Sequence, residues 1–198
     1  MSCSMKFSMA LLSYLALSFL LSGCQSTNEK VGADKLPLLP QNTWQQSIQV
    51  NQSIEIEYEG RNWNGIAVLE LSPDKLTMVH LSPLGQRLFT LIYDNGKTLP
   101  EIDADSILVG QTIPAATIVS LLQIAIWPTD VLAPFYQGDW RLQTGEQSRM
   151  VFFRNKLVVS ITLGDMLTNV YSEPWPASIN IRKAEMDMNI KTLDYKLL

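Results

Sequence analysis

The chain has 198 residues, 46% of them apolar, with 15 Lys and Arg against 19 Asp and Glu and a single histidine. It has no basic stripe to neutralise phosphates, which excludes a nucleic-acid partner, and no polybasic patch to hold a membrane. Its two cysteines, Cys3 and Cys24, both lie near the amino end, so the rest of the chain can form neither a disulfide nor a thiolate metal site and must stand on an apolar core.

Residues 9–21 form an apolar run broken by Ser13, Tyr14 and Ser18, behind one positive charge, Lys6. The run is too short to span a bilayer and ends in small residues, the layout of a removable secretory signal over residues 1–23. Leu21-Ser22-Gly23-Cys24 resembles the bacterial lipobox. That resemblance implies cleavage before Cys24, a diacylglycerol on its sulfur and a palmitate-type acyl chain on the new amino terminus. Gln25 stands where an aspartate would retain an enterobacterial lipoprotein in the inner membrane, which implies an outer-membrane destination, lipid-anchored and facing the periplasm. The alternative is an ordinary signal peptide or signal anchor with a chance cysteine. Cleavage would take 23 of 198 residues and leave 175, one domain of ordinary size, with 14 Lys and Arg once Lys6 is gone against 19 Asp and Glu. Lipid at about 0.8 kcal/mol per buried methylene on several chains makes such an anchor permanent.

Residues 24–43 show no apolar periodicity, and Pro37 and Pro40 break any helix, which predicts a flexible tether ahead of a domain over 44–198. From Ser53, Ile54, Ile56 and Tyr58 alternate with Glu55, Glu57 and Glu59, the period of a half-buried strand. Strands over 65–72 and 75–82 flank the Ser72-Pro73-Asp74 turn, and a strand over 86–94 follows Ser82-Pro83-Leu84-Gly85. Asn95-Gly96 is the strongest hairpin signal in the chain. Leu88 and Ile92 share one face of the strand before it, and Phe89, Leu91 and Tyr93 the other, so a sheet covered on both sides is expected.

The spacing predicts a helix over 113–127, with Thr112 as a cap, Pro114 near its start and Trp127-Pro128 as its stop. Ile118, Leu121, Leu122 and Ala125 share a face, and Val119, Ile124 and Ile126 add apolar surface elsewhere. It is either a plain core helix, which periodicity favours, or a lid over a lipid-sized cavity. Strands resume over 139–144, 149–154, 157–163, 166–172, 178–184 and 188–197. The expected fold is mainly β: a curved antiparallel sheet of ten or eleven strands forming an incomplete half-barrel, with one covering α-helix. Its interior either fills with side chains or holds an apolar ligand.

The chemistry of catalysis is missing. His80 has no second histidine and no free cysteine to pair with, which argues against a hydrolase and for a protein that is not an enzyme. Asp103 and Asp105 read as solvated acids in a turn-rich segment, and Glu55, Glu57 and Glu59 as the wet face of a strand. No metal or cofactor site is expected, and no glycine-rich phosphate loop is present.

Val79-His80-Leu81-Ser82-Pro83-Leu84-Gly85-Gln86-Arg87-Leu88-Phe89 resembles a strand-loop-strand of the LolA/LolB-like lipoprotein-carrier superfamily, whose LolB branch presents an exposed leucine on an Asn-Pro-Leu-Gly turn. Thr112-Ile113-Pro114 leading into a helix that stops at Trp127-Pro128 resembles the covering helix of that superfamily. Trp175-Pro176-Ala177-Ser178-Ile179 with two final strands resembles its carboxyl end. Within it the chain looks most like an uncharacterised outer-membrane lipoprotein family linked with aryl-polyene and fatty-acid-type lipid loci. The resemblance implies a carrier or receptor that binds acyl chains, with Leu84 pushing cargo toward the membrane and Pro83 and Gly85 shaping its turn. It implies acylated cargo, a lipoprotein or a polyene-type lipid, and a LolA-like periplasmic carrier as partner. Ser82 replaces the turn's Asn and Arg87 follows closely, so cargo identity does not transfer. Ile118, Leu121, Leu122, Phe89 and Leu91 are the candidate cavity residues. The rival expectation is an envelope assembly or scaffolding lipoprotein with a solid core and a protein partner; an open apolar space of several hundred Å³ would tell them apart.

Overall fold

The computed structural model describes residues 35–104, 114–169 and 172–198. The expected signal, Cys24, Asp105, Thr112 and Ile113 lie outside the described residues. Gly32–Leu198 is a compact unit of its own, and among the described residues its apolar core begins at Leu36.

In chain order the elements are β1 (Ile48–Tyr58), β2 (Arg61–Leu71), β3 (Lys75–Leu81), β4 (Arg87–Asp94), β5 (Glu101–Ala104), helix α1 (Ala115–Ile126) and the single-turn helix α2 (Thr129–Leu132). They continue with β6 (Trp140–Thr144), β7 (Ser148–Phe153), β8 (Lys156–Leu163), β9 (Met166–Asn169), β10 (Ser172–Pro176), β11 (Ser178–Lys183) and β12 (Met186–Leu197). Ten strands form one sheet in the order β5-β4-β3-β2-β1-β12-β11-β8-β7-β6, with every described pairing antiparallel. The edge strands β5 and β6 do not pair, so the sheet is an open half-barrel, as the alternation predicted. β9 and β10 form a separate hairpin, tied to β12 by the Thr192 hydroxyl donating to the Pro176 carbonyl at 2.7 Å and Tyr195 Oη donating to the Leu167 carbonyl at 3.0 Å.

Period-two burial runs through β1, where Ile48, Val50, Gln52, Ile54 and Ile56 are buried and Glu55 and Glu57 are exposed. β1 therefore starts at Ile48, ahead of the expected Ser53; the inward position of Gln52, a polar side chain, hides the alternation from a hydropathy reading. β5 was not expected: as an edge strand of four residues it needs no apolar face, and only Ile102 is half-buried in it. Asp103, read as a solvated acid in a turn-rich segment, is exposed, but it lies in β5 and pairs with Arg87 of β4 at 2.6 Å. The single strand expected over 166–172 is instead the first arm of a hairpin, in which Trp175 pairs back onto Leu167.

The largest correction concerns the tether. Leu36, Leu39 and Gln41 are buried, and a 3-10 turn at Gln41–Thr43 leads into buried Trp44. Leu39 N donates to Gln123 Oε1 and Gln123 Nε2 donates to the Leu39 carbonyl, both at 2.9 Å, so the side-chain amide of a helix residue does the work of a strand partner. Residues 36–44 are thus part of the domain and help to hold α1.

α1 begins after Pro114, whose missing N–H costs nothing there, and ends at Trp127 because Pro128 cannot continue it. Its 12 residues span about 18 Å. It lies against the apolar face of the sheet with Ile118, Val119, Leu121, Leu122, Ile124 and Ala125 all buried.

Candidate functional site

The turn between β3 and β4 is built for rigidity. Gly85 N donates to the Ser82 carbonyl at 2.9 Å, which makes Ser82-Pro83-Leu84-Gly85 a β-turn with Pro at its second position, where a fixed φ is favourable. Gly85 then takes φ +78° and lets Ser82 N reach the Gln86 carbonyl at 2.7 Å. Ser82 Oγ accepts from Leu84 N at 3.3 Å and Gln86 N at 3.2 Å, so the serine side chain bonds the turn from within. Leu84 is left 88% exposed at the tip, more than any other large apolar side chain among the described residues.

Register places this turn at one end of the sheet with an apolar seam beneath α1. His80 pairs with Phe89 across β3 and β4, and Tyr58 pairs with both Arg61 and Met186 at the same end. There Ile56, Tyr58, Trp63, Phe89, Pro114, Ile118 and Met186 surround a void of about 10 Å³. That is room for roughly one water, far from the several hundred Å³ expected of an open ligand site. Phe89 and Ile118 line this void; Leu91, Leu121 and Leu122 are fully buried core residues. At this end of the sheet, among the described residues, Ile118 of α1 and its strand neighbours leave no more space than that.

Three contacts hold α1 down. Besides Gln123 on the Leu39 main chain, Trp127 Nε1 donates to Thr43 Oγ1 at 2.7 Å, and Arg149 Nη1 of β7 donates to the carbonyls of Ile124 at 2.5 Å and Trp127 at 2.6 Å. The last turn of α1 has no basic residue of its own, so Arg149 satisfies its orphan carbonyls and opposes its dipole. Burial pushes the Arg149 guanidinium down from its ordinary pKa. Beside it, at the carboxyl end of α1, lies a second cavity of about 90 Å³.

His80 is fully buried against Phe89, ring centroids 5.1 Å apart, and neither ring nitrogen makes a hydrogen bond of good geometry, the Asn64 main chain offering only a weak one. Burial lowers its pKa, with the nearby Asn64 main chain opposing in part, so it is a neutral core ring. Glu57 and Glu59 meet Glu185 and Asp187 around an open depression, and no group of three metal-ligating side chains occurs among the described residues.

Residues 49–194 match the family model described as "Protein of unknown function (DUF3261)". The chain belongs to the DUF3261 family. The DUF3261 match takes in the Leu84 turn, α1 and Arg149, and leaves Leu36, Leu39 and Trp44 ahead of it. No curated protein matches the chain. Among solved structures it is similar to a LolA superfamily protein from Nitrosomonas europaea, 12% identical over 78% of this chain and 87% of that one, TM-score 0.38. It is also similar to a domain described as that of an outer membrane lipoprotein-sorting protein from Vibrio parahaemolyticus, 7% identical over 78% and 86%, TM-score 0.43. A third is a DUF1329 family protein from Desulfovibrio piger, 8% identical over 79% and 88%, TM-score 0.38. At these values no residue's role carries over, and Leu84 and α1 stand on this chain's own geometry.

Sequence reading missed Gln123, Arg149 and Trp44. Gln123 was visible as the one long polar side chain inside an apolar helix; Arg149 looked like any strand charge.

Proposed function

We propose that this DUF3261 chain is a non-catalytic envelope lipoprotein, lipid-anchored through Cys24 to the outer membrane, that takes up acyl chains between its sheet and α1 and passes them to lipid at Leu84. The observation that carries the reading is an almost fully exposed leucine, held on a rigid turn at the end of the sheet where the apolar seam under α1 comes to the surface. Fixed exposure of a large apolar side chain costs a soluble surface and suits contact with an apolar phase. Acyl chains would enter by replacing Ile118, Leu121 and Leu122, exchanging one apolar contact for another. Acylated cargo, lipoprotein or polyene-type lipid, and a LolA-like periplasmic donor belong to this proposal.

The small size of the void beneath α1 favours a second reading, an assembly lipoprotein with a solid core and a protein partner. Titrating the Gly32–Leu198 unit with a fluorescent fatty-acyl probe separates them. The carrier reading expects saturable binding competed by unlabelled fatty acid; a folded unit that never saturates selects the scaffold.

A further inference from the structure

The 90 Å³ cavity lies at the opposite end of α1 from the Leu84 rim, between the carboxyl end of the helix and the β9–β10 hairpin. Its walls include Trp44, Ile126, Pro128, Trp175 and Tyr195, and among the described side chains its one charged lining residue is Arg149. Among the described side chains no Asp or Glu lines it, and Arg149 makes no ion pair among the described residues.

The hydrogen-bond ledger there is one-sided. Arg149 spends Nη1 on the two α1 carbonyls; its Nε and Nη2 donors have no partner and, unlike the sealed orphan atoms of the core, remain reachable. Trp44 and Trp175, 8% and 4% exposed with ring centroids 6.5 Å apart, each carry an indole Nε1 donor with no acceptor. A half-buried cation with unbonded, reachable donors and no counter-ion among the described residues costs free energy that an acceptor-rich ligand would recover, whereas the two indole donors are sealed from the cavity as it stands. The volume suits a small head group, being below the roughly 150 Å³ of a cavity known to hold benzene. Of its lining residues Met166 is 50% exposed and Pro174 is exposed, and Leu167 of the same hairpin is 36% exposed, which offers apolar surface beside the cavity.

We propose that this cavity binds the oxyanion head group of an amphiphile, a carboxylate or phosphate monoester held by Arg149, with the apolar tail lying over the β9–β10 hairpin. The site is independent of acyl uptake at the Leu84 end, and its test reads head-group preference rather than acyl binding.

The experiment titrates the Gly32–Leu198 unit with octanoate, octyl phosphate, octanol and inorganic phosphate, read by the fluorescence of the Trp44, Trp127 and Trp175 cluster. Octanoate and octyl phosphate should each bind at least tenfold more tightly than octanol, and inorganic phosphate at least tenfold more weakly than octyl phosphate. Arg149→Gln should erase the preference, although losing the α1 cap can also unfold the domain. Gln46→Glu keeps Arg149 and the cap while placing a carboxylate of the same shape on the cavity wall. It should abolish the preference, leave octanol binding unchanged and leave the melt no lower than that of the parent protein. Octanol binding as well as octanoate, no binding of either octyl anion, or a folded Gln46→Glu protein that keeps the preference overturns the proposal. Inorganic phosphate binding as tightly as octyl phosphate overturns the amphiphile and leaves a free-anion site.

Discussion

Leu84→Glu separates membrane contact from stability. In the folded unit the side chain is 88% exposed and its turn is held by bonds from Ser82 and Gly85, none of which involve the leucine side chain. The substitution should therefore move stability by no more than about 0.5 kcal/mol, the range of surface changes away from special features. Transferring a leucine side chain from water into lipid is worth about 1.5–3 kcal/mol. At 1.4 kcal/mol per factor of ten, that is roughly a tenfold to hundredfold loss in partition of the turn into a bilayer, and the added carboxylate deepens it. Leu84→Ala should give a smaller loss in the same direction. The assay pairs a thermal melt with co-sedimentation on liposomes and with transfer of a fluorescent acyl probe from the unit to those liposomes. Transfer should fall with sedimentation while probe binding stays intact. Unchanged transfer at full stability refutes the wedge; a melt lowered by several kcal/mol of destabilisation would mean that the leucine is core.

Other predictions are independent of cargo. Cys24→Ala should remove the acyl mass from the amino-terminal peptide and leave the chain outside the outer-membrane fraction; normal fractionation of that variant rejects the anchor. His80 is held neutral by burial, so below its ordinary pKa of 6.5 the unfolded chain takes up a proton that the folded chain refuses. Stability should then fall with pH by about 1.4 kcal/mol per unit from 6.5 down to the folded-state pKa, a slope that His80→Leu removes and that urea midpoints across pH 7 to 5 would reveal. A Cβ on Gly65 would stand 1.9 Å from the Leu81 carbonyl oxygen, so Gly65→Ala should cost about 3 kcal/mol, read as a lowered urea midpoint with unchanged slope.

What was legible followed from short-range pattern. Ile54, Ile56 and Tyr58 against three glutamates, Phe89, Leu91 and Tyr93 on one face, and Pro114 and Pro128 bracketing an apolar run are local facts, and the strands and helix follow them. The exposed Leu84 was legible because Pro83 and Gly85 dictate a turn whose tip points away from the sheet. The docking of Leu36 and Leu39 was not, since their partner Gln123 lies 84 residues away from Leu39 and no periodicity marks an isolated segment laid across a helix. β5 escaped because an edge strand of four residues needs few apolar side chains. Whether the interior is open was beyond reach, because periodicity says which residues face inward and nothing about how much volume they fill. Arg149 escaped for a related reason: its role is set by the unsatisfied carbonyls of a helix end, brought to it by the fold.

The claim that acyl chains enter beneath α1 is tested most directly by mass spectrometry of lipid retained by the Gly32–Leu198 unit after incubation with a mixed fatty-acid pool and removal of unbound lipid. The account predicts about one acyl chain per folded protein, displaced by excess unlabelled fatty acid. Lipid recovered at no more than background, from protein whose melt shows it folded, would contradict it.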